Sequence, residues 1–200
     1  TPEEARTQIV NMVREFVRRD VEPAAARLDK EDIVPHDLID KMKEMGLFGI
    51  TVPEEYGGLG LDYTTFASIF EELSKGFMSI TGAIGTHHIL TYVLMHYGTD
   101  EQKRRFLPDL ASGRKRGGLA LTEPGGGSDA AALKTTAVER DGTYFLNGSK
   151  TFITNGAEAN TVVVFATHDT SKGYKGVSAF VVPRNSPGFQ VNPLHGKMGM

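Results

Sequence analysis

Gly117-Gly118-Leu119-Ala120-Leu121-Thr122-Glu123-Pro124-Gly125-Gly126-Gly127-Ser128-Asp129 carries a short apolar strand into three consecutive glycines, then a hydroxyl and an acid. Glycine lets a backbone turn sharply and come close to a ligand. Successive N–H groups in such a turn form an anion-binding nest. The hydroxyls of Thr122 and Ser128 can add hydrogen bonds to a heterocycle or a phosphate. The loop therefore suits a flat polar ring with a pyrophosphate attached, the plainer alternative being a tight surface turn. Two nucleotide motifs fail on context. A P-loop needs Gly-Lys-Ser/Thr after its glycines, and here Gly127-Ser128-Asp129 places an acid. Gly125, Gly127 and Ala130 fit the loose Rossmann spacing, but that fingerprint needs a βαβ unit and an acid about 20 residues on. Position 150 is Lys150, and a hairpin follows the loop.

Upstream of this stretch the periods are helical. Thr1 is an N-cap with Pro2 at the first helical position. Ile9, Val13, Phe16, Val17 and Val21 then fall three or four apart. Pro35 starts a second helix with Leu38, Met42 and Met45 inward and Gly46 past its end. Pro53 to Gly60 is glycine-punctuated loop. Asp62 caps a third helix carrying Phe66, Ile69, Phe70 and Leu73, closed by Gly76. From Ser79 to Tyr97 apolar residues cover more than one face, which marks a helix buried on several sides. Thr99 and Gln102 make a capping-box spacing for a further helix, bent or interrupted near Pro108.

Downstream the period becomes two. Lys134 to Arg140 and Thr143 to Asn147 flank Asp141-Gly142, a hairpin signal. Thr161 to Ala166 and Val177 to Val182 read as buried strands, and Gly188 to Leu194 as a further one. Helices first and strands second predict an α+β chain. Its N-terminal all-α domain spans residues 1–115, and a mainly antiparallel, barrel-like β-domain spans residues 116–200.

A second segment, Tyr144-Phe145-Leu146-Asn147-Gly148-Ser149-Lys150-Thr151-Phe152-Ile153-Thr154-Asn155-Gly156, has another tight-turn pair at Asn147-Gly148. In a strand after it, Phe152 and Thr154 share a face. A ring beside a hydroxyl suits a flat cofactor. An ordinary sheet pair is the alternative.

Ala120 to Asp129 resembles the signature of the acyl-CoA dehydrogenases. Tyr144 to Lys150, followed by Phe152 to Asn155, is similar to that family's next block. Gly46-Leu47 through Pro53-Glu54-Glu55-Tyr56-Gly57-Gly58, Tyr97 to Lys103, and Gly176 to Val182 agree in order and spacing. The resemblance implies an N-terminal helical domain, a middle β-domain and a C-terminal helical bundle. It implies FAD as cofactor and α,β-desaturation of acyl-CoA thioesters in fatty acid metabolism, with electrons passed to an electron-transfer flavoprotein. Leu119, Ala120, Leu121, Thr122, Gly127 and Ser128 would line the flavin and its pyrophosphate, with Thr122 on the pyrimidine side and Ser128 also near the acyl-CoA. Phe152, Ile153 and Thr154 would meet the ring, Thr154 near N5. Leu119 stands where the family often has an aromatic residue, and Phe152 where it often has tryptophan.

Composition bounds the rest. The chain has 200 residues, 40% hydrophobic and 24% charged, with a net charge of −3 and no cysteine. That excludes a disordered or disulfide-scaffold chain and a thiolate nucleophile. A nucleic-acid partner is not expected without a basic excess. No apolar run approaches the about 20 residues of a membrane span. The chain opens without a signal pattern and is read as soluble and cytoplasmic. No His pair has a metal spacing with a third ligand. His87-His88 border the acyl pocket by resemblance, though packing or hydrogen bonding is the simpler role. Arg114-Lys115-Arg116 is a solvated linker or a contact to a CoA phosphate.

His195 to Met200 stops without cap, turn or polar tail, so the chain is read as cut before the C-terminal bundle. No catalytic residue is assigned, because the family's catalytic carboxylate sits on that bundle. The fragment is expected to be inactive, to bind FAD weakly and to self-associate, whereas the full-length enzyme is a homo-oligomer, dimer or tetramer. Acyl-CoA oxidases and nitroalkane oxidases share the scaffold and are the alternative activities. A non-catalytic binding remnant is the third.

Overall fold

A computed structural model describes residues 2–197. The N-cap expected at Thr1 and the chain end at 198–200 lie outside these residues. The chain divides between Lys115 and Arg116 into two compact units, and residues 194–197 belong with the first. Among the described residues, no helix is long and apolar enough to cross a membrane.

The first unit is helical. Helix α1 (Pro2–Phe16) passes through a wide turn of π-helix (Val17–Val21) into α2 (Glu22–Glu31). Sequence periodicity stops at Val21, and α2 was not expected. Pro23 has no N–H to give to the turn before it, and the wide turn, closed by Glu22 N–H to Val17 O, takes up that gap. Asp32 ends α2 in the left-handed conformation, at φ 50°. Its carboxylate accepts from His195 Nδ1 at 3.2 Å and from Gly196 N at 2.9 Å. Helix α3 (His36–Glu44) ends before Gly46, whose φ of 75° suits glycine.

Helix α4 (Tyr63–Tyr97) opens on the expected cap, Asp62 accepting from Thr65 N. Its two halves meet at Phe77, where φ −160° and ψ 102° break the helical path just after Gly76. Gly76 allows close approach: a Cβ there would stand 2.5 Å from Val17 Cγ1. One core unites Val13, Phe16, Val17 and Val21 with Leu38, Met42, Phe48, Ile69, Leu73 and Ile84. In the second half of α4, Met78, Ile89 and Tyr92 are exposed within this unit, so burial there covers less of the helix than its composition predicts. Helix α5 (Asp100–Ala111) carries the complete Thr99–Gln102 capping box. It runs uninterrupted through Pro108, held by buried Leu107, Leu110 and Ala111. Arg114 and Lys115 both clamp Asp109, at 2.8 and 2.7 Å.

His87 and His88 are buried and donate from Nε2 to the carbonyls of Phe48 and Leu47, at 3.1 and 3.0 Å. They tie the segment after α3 to α4, which is the simpler of their two roles. Burial drives the His88 imidazole down to about 4, against the opposing hydrogen bond to Leu47. Arg14 and Lys75 grip the buried Glu72 carboxylate, and those bonds hold it at about 2 against its burial. His88 is neutral when folded and regains a pKa of about 6.5 when unfolded, so the unfolded chain binds more protons. Stability is therefore full above pH 6.5 and falls toward pH 4, by on the order of 3 kcal/mol. Glu72 adds a second loss below its unfolded pKa of about 4.5, as pH falls toward 2. Urea unfolding followed by circular dichroism between pH 7 and 4 checks this, and a flat profile would contradict it.

The second unit is one sheet. Strand β1 (Gly117–Ala120) pairs parallel with β4 (Thr161–Thr167), in register Gly117 to Thr161 and Ala120 to Val164. Strand β5 (Val177–Pro183) pairs antiparallel along all of β4. Strands β2 (Thr136–Arg140) and β3 (Thr143–Asn147) form the expected hairpin. Asp141 and Gly142 have φ of 51° and 75°, the two positive values a two-residue turn of this kind demands. The hairpin joins β4 at Thr136 and Thr167. Ala120, Ala159 and Val162 form a small core, with Ile153, Val164 and Phe189 against it. Residues 188–194 form no strand. Instead Phe189 covers that core, and the Arg184 guanidinium lies 5.2 Å from its ring.

Candidate functional site

The glycine loop leaves the end of β1. Glu123 and Gly126 exchange backbone hydrogen bonds, both 3.0 Å, so Pro124 and Gly125 form its tip. A Cβ at Gly125 or Gly126 would meet nothing within 4 Å, so the tip offers open backbone. Gly127 is packed differently: a Cβ there would stand 3.1 Å from Thr122 Cγ2. Leu119, Leu121 and Thr122 are half-buried, Ala120 is buried, and Ser128 is exposed. Asp129 caps the turn after the loop, accepting from Ala131 N.

The segment 150–156 lies alongside. Thr151 N donates to Thr122 O at 2.9 Å, and Lys150 Nζ donates to Leu121 O at 3.0 Å. Asn155 Nδ2 reaches Gly117 O at 3.3 Å. The structure thus brings the two sequence motifs side by side.

Residues 151–154 are not a strand, which corrects the sequence argument for a shared face. Phe152 has φ of 55°, a left-handed conformation rare for a bulky residue. The residue is 72% exposed. Ile153 is half-buried on the small core and Thr154 is exposed in the turn that follows. The alternation of Phe152 and Thr154 outward with Ile153 inward survives, but a left-handed kink produces it. Such strain persists only where surrounding structure enforces it. Here Asn155, itself at φ 63°, and the bond from Thr151 hold the chain on either side.

Beneath the loop sits Glu123. Its Oε2 accepts from Lys134 N at 2.6 Å, and its Oε1 from Thr135 N and Lys150 Nζ, both at 2.9 Å. Burial pushes this carboxyl up, but the donors from Thr135, Lys150 and Lys134 outweigh it and bring it to about 2. A carboxylate so held is a staple, not a proton acceptor. Sequence reasoning assigned Glu123 to the loop and missed Lys150 as its partner. Arg116, the last of the basic run, is buried and paired with Glu158. With Arg114 and Lys115 on Asp109, all three cations of that run have carboxylate partners. No group of His, Asp or Glu suited to a metal occurs among the described residues.

An open glycine tip, a hydroxyl beside it and an outward aromatic ring fit a flat dinucleotide cofactor. Residues 3–114 match the model for the acyl-CoA dehydrogenase N-terminal domain, and residues 118–200 match that for the middle domain. An acyl-CoA dehydrogenase of Bacillus subtilis is 43% identical over 190 residues, covering 94% of this chain and 50% of its own length. A chain in a structure of the electron transferring flavoprotein of Acidaminococcus fermentans superposes with a TM-score of 0.91 at 42% identity, covering 96% of this chain and 51% of that one. A glutaryl-CoA dehydrogenase of Mycobacterium smegmatis in complex with FADH2 gives a TM-score of 0.89 at 30% identity, covering 97% and 49%. The chain spans about half the length of the relatives it matches.

Proposed function

The chain belongs to the acyl-CoA dehydrogenase family, and from that premise we propose that it forms the FAD-binding and acyl-binding surface of an enzyme that desaturates acyl-CoA thioesters between the α and β carbons. An electron-transfer flavoprotein takes the electrons. One observation carries this reading: the two motifs, far apart in sequence, are clamped together by Thr151 N on Thr122 O and by Lys150 on Leu121 and Glu123.

Leu119 to Thr122, Gly127 and Ser128 hold the dinucleotide, Thr122 on the pyrimidine side and Ser128 also toward the acyl-CoA. Phe152, Ile153 and Thr154 meet the ring. When bound, the flavin supplies the hydride acceptor for the β-carbon, while a base removes the α-proton. The acids of the motif region do not fill the base role. Glu123 is locked at about 2, Glu158 pairs with Arg116, and Asp129 caps a turn. In α4, Glu71 pairs with Lys75, and Glu72 with Arg14 and Lys75. No residue of the chain is assigned as the base, and residues 1–200 by themselves are proposed to be inactive. A cytoplasmic setting and a homo-oligomeric assembly, dimer or tetramer, complete this reading.

The test is anaerobic addition of acyl-CoAs of several chain types to the FAD-loaded full-length protein, with residues 1–200 alone as the inactive control. Bleaching of the flavin by at least one thioester, with reoxidation by an electron-transfer flavoprotein, is expected. Oxygen consumption with peroxide release would make the protein an oxidase, and no bleaching by any thioester would overturn the reaction class.

A further inference from the structure

The buried ion pair of Glu123 and Lys150 lies under the glycine loop, with side chains 9% and 10% exposed. It links three separate pieces of backbone. Glu123 is in the loop and takes the N–H groups of Lys134 and Thr135 at the start of the hairpin. Lys150 lies within the second motif and reaches back to Leu121 O, one residue before Thr122. Gly148 lets that segment come close: a Cβ there would stand 2.3 Å from Thr135 Oγ1 and 2.7 Å from Thr135 Cα.

A simple stability role explains this pair poorly. Buried ion pairs lose much of their attraction to desolvation, and apolar replacements of similar volume are often no less stable. What the pair does supply is fixed geometry. One ammonium sets the distance between a carbonyl of the first motif and the carboxylate beneath it, from a residue of the second motif. Gly125 and Gly126 have no side chains to pack the tip against its surroundings. We propose that Lys150 is a positioning residue that, through Leu121 O and Glu123, sets the conformation in which residues 121–128 present the open backbone of the glycine tip and the Thr122 hydroxyl to the cofactor. This rests on the flavin reading above and adds a named determinant of its affinity. Lys150 itself touches the loop and not the cofactor.

The test compares Lys150→Met, which keeps length and apolar stem but removes the ammonium, with Lys150→Arg, which restores a cation. Three quantities are read: FAD affinity by titration of the full-length protein, hydrogen exchange at the amides of Glu123 and residues 125–128, and exchange in β4 and β5. Lys150→Met is expected to weaken FAD roughly tenfold, the scale of one charge-assisted hydrogen bond, and to speed exchange in the loop. Exchange in β4 and β5 speeds up much less than in the loop, because Glu123 keeps its two backbone donors, and Lys150→Arg recovers most of the affinity. Lys150→Met with wild-type affinity would overturn the proposal, as would faster exchange in loop and strands alike. A wild-type protein that takes up no FAD would defeat the flavin reading instead, and the exchange contrast between loop and strands would still decide whether Lys150 holds the loop.

Discussion

Glu123→Ala is expected to cost the second unit about 3–5 kcal/mol, the range for leaving a buried charge unpaired. The substitution strands the Lys150 ammonium, whose side chain is 10% exposed, and removes the acceptor of Lys134 N and Thr135 N. Each buried donor left without a partner adds about 1–3 kcal/mol, and part of that total is recovered as water enters. Against a typical domain stability of about 5–15 kcal/mol, the loss is enough to unfold the unit or leave it marginal. The same carboxylate gives an acid dependence. Its pKa is lowered on folding, so its contribution is present above the unfolded value of about 4.5 and disappears as pH falls toward 2. The chain has no tryptophan, so denaturant unfolding is best followed by circular dichroism. A Glu123→Ala protein within about 0.5 kcal/mol of wild type, the usual range for surface changes, would show that the staple has no such weight.

Thr154→Val is expected to slow reduction of the bound flavin by acyl-CoA by up to roughly a hundredfold, the rate equivalent of a lost hydrogen bond of about 1–3 kcal/mol. Thr154 is exposed in the turn after Ile153, and Asn155 anchors that turn through Gly117 O. Valine keeps the shape and removes the hydroxyl, and circular dichroism of the variant checks that the fold survives. Stopped-flow absorbance of the FAD-loaded full-length protein reads the reduction rate directly. Reduction at the wild-type rate would remove Thr154 from the site.

What could be read in the sequence was local. Asp62 as the cap of α4, the Thr99–Gln102 box and the Asp141-Gly142 turn are set by side chains within a few residues, and each is present. Helix α2 was hidden because Pro23 reads as a breaker, while the wide turn before it absorbs the missing donor. Residues 188–194 carry extended composition, but a strand exists only when another strand pairs with it, and that partner cannot be seen from composition. At the site, the glycine loop and the hydroxyls stood out from residue type alone. The left-handed Phe152 did not, because nothing in its side chain favours φ of 55°. Nor did the Glu123–Lys150 pair, whose members are 27 residues apart and meet only once β1 and the hairpin are in place.

FAD uptake by the protein, measured against FMN, tests the account most directly. After reconstitution of the full-length protein and removal of free flavin, the account predicts a yellow protein from which denaturation releases FAD, with Lys150→Met retaining less of it and FMN failing to compete. Protein that releases no flavin, or that holds FMN as well as FAD, would contradict it.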